Sequence, residues 1–364
     1  MDAVVEKRAD DTIAAMQATS LSDRTNTLRS WVDQVLVARG EPRAQAWQSI
    51  VGDASFRRFY RLRSGERSLI AMDAPPSTEN NAQFVRLSRV FREAGINVPE
   101  VHSYDFEQGF LLVSDLGVLS YGDVYNTNER EIALEAALET MVAIARVGDG
   151  DGAVPPYTSQ RFRDELGLFE TWLLRGLLRH EPTSAERGLL ESVTERLMQI
   201  VESQPKVCVH RDFHSRNLLW GVDHVTRVVD FQDALFGPLL YDLASLLRDC
   251  YVRFSEADIA HWRKRYQALA IDADLPIDSS DASLARRLDL TAMQRHLKAV
   301  GIFARLQLRD GRSSHLVDIE PVLEHLIDVG RMYREFVAFA EWLADVVLPA
   351  TRRELAVHGV PCAR

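Results

Sequence analysis

The chain has 364 residues, of which 46% are apolar, 8% aromatic and 26% charged, a balance that excludes disordered, collagen-like and coiled-coil chains. Its 43 lysines and arginines against 53 aspartates and glutamates leave a formal charge of −10, which opposes binding to nucleic-acid phosphates or an anionic membrane surface. At roughly 150 residues per domain the length corresponds to about 2.4 units, an expectation of two lobes. Cys208, Cys250 and Cys362 are widely spaced and form neither a disulfide framework nor a CxxC site, so the expected compartment is a reducing cytoplasm. Lysine is scarce: Lys7, Lys206, Lys264 and Lys298 are the only four, and none lies between positions 8 and 205.

Residues 1–20 are polar and aperiodic, and read as a loose tail. They carry charge without an apolar core of signal-peptide length, and the apolar stretch 336–350 is interrupted by Glu341 and Asp345, so neither export nor anchoring is expected. From Ser22, Leu28, Trp31, Val32, Val35 and Leu36 recur at helical intervals up to a stop at Arg39-Gly40. Three short strands follow, Trp47–Val51, Arg58–Leu62 and Ser68–Met72, separated by Gly-containing turns at 52–55 and 64–65. A helix over Asn81–Ala94 and strands Val98–Tyr104 and Phe110–Ser114 complete a strand, strand, strand, helix, strand, strand order. After Gly117 helical periodicity dominates, in Glu129–Val147 and Thr158–Leu178 on either side of a Gly/Pro loop at 148–156. Strand signals return in Val207–Val209, Asn217–Trp220 and Arg227–Phe231, with a hairpin turn at 221–224, and from Tyr241 the chain is helical.

The densest polar cluster is His210-Arg211-Asp212-Phe213-His214-Ser215-Arg216-Asn217, followed after the hairpin by Asp230-Phe231-Gln232-Asp233. A strand delivers the cluster to its end, and the hairpin returns Asp230 beside Asn217. One amide and one carboxylate are hard oxygen donors suited to Mg²⁺, which keeps several waters and is completed by substrate phosphates. Asp212 stays free to accept a hydroxyl proton, the division of labour that phosphoryl transfer needs. A thiolate and imidazole zinc site from Cys208, His210 and His214 lacks a fourth ligand nearby.

The spacing His-x-Asp-x-x-x-x-Asn, with a second Asp thirteen residues on, resembles the protein-kinase-like fold. His214 and the segment Gly237-Pro238-x-x-Tyr241-Asp242-Leu243-Ala244 are similar to its aminoglycoside phosphotransferase and choline kinase branch. The resemblance implies an α+β, two-lobed architecture: a tail at 1–21, a small antiparallel-sheet N-lobe at 22–117 that binds nucleotide, and a larger, mainly helical C-lobe at 118–364 with the catalytic loop and acceptor site. It implies ATP and Mg²⁺, with Asp212 as catalytic base, Asn217 and Asp230 on the metal, and Asp242 buttressing the loop. By the same match Gly52, Ser55 and Arg57 belong to the phosphate-covering loop, and Ser114 and Leu116 to the linker that holds adenine.

One departure stands out. Met72 occupies the place of the phosphate-binding lysine, and Gln83 or Phe84 that of its glutamate partner. The lysine gap means that no shift of alignment restores the pair, and Arg57 and Arg58 are the nearby substitutes.

The runs Gly52–Leu62, Met72–Pro76 and Gln294–Leu306 look like one subgroup, bacterial anomeric kinases of cell-wall recycling that phosphorylate N-acetylmuramate and N-acetylglucosamine at the C1 hydroxyl. That implies a small-molecule amino sugar and ATP as partners. Asp164 and Glu165 are acceptor candidates, and Arg211, Arg216 or Arg305 would meet the muramate carboxylate. A kinase of an aminoglycoside or another small alcohol, and a nucleotide-binding regulatory pseudokinase, are the alternatives.

Overall fold

The computed structural model describes residues 23–50, 57–148 and 152–360. They divide into two compact units, one formed by residues up to Arg92 with Val98–Leu116, the other by Glu93–Asn97 and Gly117 onwards.

The first unit begins with a helix over 23–38, α1. Its Leu28, Val32 and Leu36, four residues apart, are fully buried, each stabilising the unit by about 1.5–3 kcal/mol. They pack on one face of a five-stranded antiparallel sheet, order β1-β2-β3-β5-β4, made of β1 (Gln45–Ile50), β2 (Arg58–Ser64), β3 (Arg67–Asp73), β4 (Val101–Asp105) and β5 (Phe110–Ser114). The β2–β3 hairpin turns in two residues because Gly65 adopts φ +59°. Strand alternation puts Leu69 and Ala71 toward α1 with Leu62, Phe110 and Leu112, and therefore Ile70 and Met72 on the opposite face. Helix α2 (Asn81–Glu93) buries Phe84, Leu87 and Phe91. The expected element order holds, but β4 starts at Val101 rather than Val98, since Pro99 has no N–H for the ladder.

The second unit is mostly helical. Helices α3 (Tyr121–Val124) and α4 (Arg130–Ala145) precede α5 (Ser159–Leu168), whose N-cap Thr158 accepts from Arg161 N. The expected helix over 158–178 widens after α5 into a π-helical stretch, Phe169–Leu177. Helix α6 (Ser184–Glu202), closed by a Thr183/Glu186 capping box, and strand β9 (Leu235–Pro238) are elements the sequence reading leaves out. β6 (Lys206–Val209) pairs with β9, and β7 (Leu218–Trp220) with β8 (Thr226–Val228). The strand expected over 227–231 stops at Val228, because Asp230 takes a left-handed conformation at φ 62° and 231–233 is a 3₁₀ turn.

Helices α7 (Tyr241–Leu247), α8 (Glu256–Asp272), α9 (Asp281–Asp310), α10 (Ile319–Met332), α11 (Val337–Trp342) and α12 (Leu348–Val357) complete the unit. The 30-residue α9 is its spine, burying Leu290, Met293, Leu297, Val300 and Phe303 in the main core. At Gly301 a Cβ would fall 2.5 Å from the Leu168 carbonyl carbon, so only glycine lets the end of α5 lie this close to α9. Among the described residues no helix is long and apolar enough to cross a membrane.

Candidate active site

Strand β6 carries the chain into the polar loop at 210–217, and a buried carboxylate sets the shape of that loop. Asp242, at the start of α7, accepts the backbone N–H of His210 at 2.7 Å and of Arg211 at 2.8 Å. Holding two successive amides on one carboxylate forces Arg211 to φ +80°, a costly conformation for a residue with a Cβ, sustained only where the surroundings over-determine it. Burial pushes the Asp242 carboxyl upward against those amides. His210 donates from Nε2 to Val229 O at 2.9 Å, joining the loop to the strand that precedes Asp230.

Asn217 ties the loop to the segment that precedes Asp230. Its Nδ2 donates to Asp212 O at 2.9 Å, and its carbonyl accepts Val229 N at 3.0 Å. The amide nitrogen is thereby committed, leaving Oδ1 as the donor atom for a ligand. Asp230 is exposed on its left-handed turn, with Gln232 Nε2 on Oδ1 at 2.7 Å. Two hard oxygens on adjoining segments fit Mg²⁺, whose remaining positions are filled by water and phosphate. Among the described residues no group of three or more His, Cys, Asp or Glu could hold a metal. The Cys208 thiol is buried and pushed up by that burial, as a small core side chain would be.

Around Asp212 the charge is unexpected. Its side chain is one-third exposed, and Oδ1 lies 3.7 Å from both Arg295 Nη2 and Lys298 Nζ, two α9 cations that are 7% and 10% exposed. Beside them Glu165 of α5, 10% exposed, is ion-paired with Arg211 and accepts from Tyr157 Oη and Gln294 Nε2. Arg295 stacks over the Tyr241 ring and Arg211 over the Tyr157 ring. Burial alone would raise both carboxyls, but the cations outweigh it. Lys298, Arg211 and Arg295 hold Asp212 far below the ordinary carboxylate range, and Lys298 and Arg211 also lower Glu165. His214 is lowered by burial and so adds no charge at neutral pH.

The other sequence candidates fall elsewhere. Asp164 is exposed and accepts from Gln160, outside this group. Arg216 stacks 3.6 Å over the Tyr251 ring and pairs with Asp318. Arg305 is half-buried, seven residues beyond Lys298 on α9, and burial lowers it. In the first unit Arg57 pairs with Glu79 at 2.7 Å and Arg58 with the fully buried Asp73 at 2.6 Å, so both substitutes for the missing lysine already hold a carboxylate. Met72 is buried. Ser114 sits at the end of β5, with Oγ accepting Glu100 N. Leu116 follows Asp115, which Arg61 holds through two nitrogens. Gly52 and Ser55 lie outside the described residues.

Arg295 and Lys298 lie inside the 294–306 run, whose likeness to the family gives neither a role. The usable signal was the lone lysine of that helix three positions from an arginine, which puts both on one helical face.

A phosphotransferase enzyme family model matches residues 46–277. An N-acetylmuramate/N-acetylglucosamine kinase of Pseudomonas aeruginosa is 36% identical over 329 residues, covering 89% of this chain and 97% of that protein. The kinase of the same name from Pseudomonas putida is 33% identical, covering 89% and 96%. Among solved structures, a choline kinase of Streptococcus pneumoniae aligns with a TM-score of 0.58 at 11% identity, over 82% of this chain and 98% of that one.

Proposed function

Because the chain belongs to the phosphotransferase enzyme family, we propose that it transfers the γ-phosphoryl group of ATP to the anomeric C1 hydroxyl of N-acetylmuramate and N-acetylglucosamine, in the cytoplasm. The relatives of that name span nearly their whole length on this chain. The observation that carries the acceptor class is the set of cations beside Asp212. A polycationic aminoglycoside would meet Arg295 and Lys298 at the point of attack, where like charges repel. A neutral or anionic sugar meets no such penalty.

In this reading residues 22–117 bind the nucleotide, through Gly52, Ser55, Arg57, Ser114 and Leu116, and 118–364 carry the catalytic loop and the acceptor site. Asp212 orients the C1 hydroxyl and takes its proton as the oxygen attacks phosphorus. The bond from the γ-phosphorus to the bridging oxygen breaks, and ADP leaves with the electron pair. A carboxylate held as far down as Asp212 is a weak base, which suits a loose transition state where positioning outweighs proton removal. Asn217 Oδ1 and Asp230 would hold Mg²⁺, which neutralises charge on the phosphates when bound.

The test is ATP-dependent phosphorylation across N-acetylmuramate, N-acetylglucosamine, an aminoglycoside, choline and homoserine. The two amino sugars should turn over, and Asp212→Asn should lose about 10²- to 10⁴-fold in kcat while remaining folded. Turnover of the aminoglycoside or of choline in their place contradicts the proposal, as does a wild type inactive on all five.

A further inference from the structure

We infer that Lys298, with Arg295 beside it, is the cation that receives the transferring phosphoryl group, in the role the chain leaves vacant at Met72 in the sheet. The inference rests on the kinase reading above and adds two residues to the machinery.

Lys298 is the one lysine placed for this. Of the others, Lys7 lies outside the described residues, Lys264 is exposed on α8, and Lys206 donates to Val201 O at 3.1 Å. Lys298 is nine-tenths buried, yet its Nζ stands 3.7 Å from Asp212 Oδ1 and 4.0 Å from Glu165 Oε1. Neither separation is a hydrogen bond. Glu165 already has Arg211, Tyr157 and Gln294. Arg295 is in a similar condition: Nε and Nη1 are buried without a hydrogen-bond partner among the described residues, and Nη2 donates to Arg211 O at 3.4 Å and stands 3.7 Å from Asp212 Oδ1.

Buried guanidinium nitrogens with open donor positions are costly to maintain, and the four cations Arg161, Arg211, Arg295 and Lys298 face three carboxylates, Glu165, Asp212 and Asp233. The neighbouring Asp242 and Asp249 are held by backbone amides. A further anion with several oxygens would satisfy these donors. It must also lie against Asp212, which touches the attacking hydroxyl, and the in-line phosphorus sits within about 3–3.5 Å of that oxygen. The muramate carboxylate, carried on another ring carbon, is the other anion of the reaction, and it is remote from the attacked hydroxyl.

The experiment compares wild type, Lys298→Met, Lys298→Gln and Lys298→Arg on both sugars across pH, alongside ATP hydrolysis without sugar and thermal unfolding. Asp212 is faced by Arg211 and His214 from its own loop, by Glu165 from α5 and by Arg295 and Lys298 from α9, with Tyr241 of α7 beneath Arg295. The two remaining arginines therefore keep Asp212 ionised when Lys298 is neutralised. The expected result is a loss of about 10²- to 10³-fold in kcat on both sugars and in sugar-free hydrolysis for Met and Gln. KM should stay within a few-fold, the acid limb of the profile should not move, and Arg should restore part of the rate.

A loss confined to KM for N-acetylmuramate would make the pair a carboxylate receiver and overturn the inference. So would an acid limb that moves while the plateau rate is kept, which would mean that Lys298 acts through Asp212, and so would an unchanged kcat. Should Lys298→Met unfold, Lys298→Gln and Lys298→Arg decide by the same readouts. Should neither sugar turn over in wild type, the acceptor reading fails, and the loss in sugar-free hydrolysis still decides the role of Lys298.

Discussion

At Glu165 and Asp212 two buried or half-buried carboxylates a helix apart share one set of cations, and their protonation is coupled to folding. Glu165 lies below its ordinary value of 4.5, so its contribution to stability is present above that pH and is lost as pH falls through the lower folded value. Glu165→Gln should therefore flatten the acid side of the stability curve: wild type loses Tm more steeply than the variant between about pH 5 and 3. Parallel Tm profiles would contradict the pairing. That Asp212, Asn217 and the turn at Asp230 lie on adjoining segments was readable from spacing, because a loop motif fixes residue types at set intervals. Lys298 was not, since helical periodicity says which residues share a face and leaves open what that face meets. Asp164 and Glu165 show the same limit: adjacent on α5, they point about 100° apart, and only Glu165 enters the cluster.

Between elements, the decisive contact is α5 against α9 at Gly301, which brings Glu165 to Lys298. Replacing Gly301 by Ala gains up to about 1 kcal/mol of helix propensity, but overpacking against the Leu168 backbone costs about 1–3 kcal/mol. The expected outcome is a lower Tm, by about 2–4 °C per kcal/mol, together with a reduced kcat. Gly188 of α6 is the control, since nothing lies within 4 Å of its would-be Cβ and Gly188→Ala should raise Tm. A Tm increase in both would show that the close approach at Gly301 is unimportant. Most of the sheet and helices α1, α2, α4 and α5 were legible from periodicity. β9 was not, because Leu235–Pro238 contains Gly237 and Pro238, which read as a turn. The Thr183/Glu186 capping box, by contrast, marked the start of α6 in the sequence and could have been used. Its Glu186 carboxyl falls to about 2, with backbone and side-chain donors from Thr183 and Trp342 outweighing burial.

For the whole molecule, the net charge of −10 opposes binding to nucleic-acid phosphates or an anionic membrane but was silent about the site, where the local balance is positive. A global sum averages the many surface carboxylates over an active site of a handful of residues. The shortage of lysine proved the better guide, first as the missing partner of the sheet and then as the single lysine beside Asp212. The described residues form two compact units, and the family assignment rests on the family model over residues 46–277 and on relatives matched over 89% of this chain. The regiochemistry of transfer bears most directly on the account. Incubation with ATP and N-acetylglucosamine, followed by phosphorus and carbon NMR of the product, should show phosphorus coupled to the anomeric C1 carbon and proton. Coupling to C6 or another ring position, or no phosphorylated sugar at all, would contradict it.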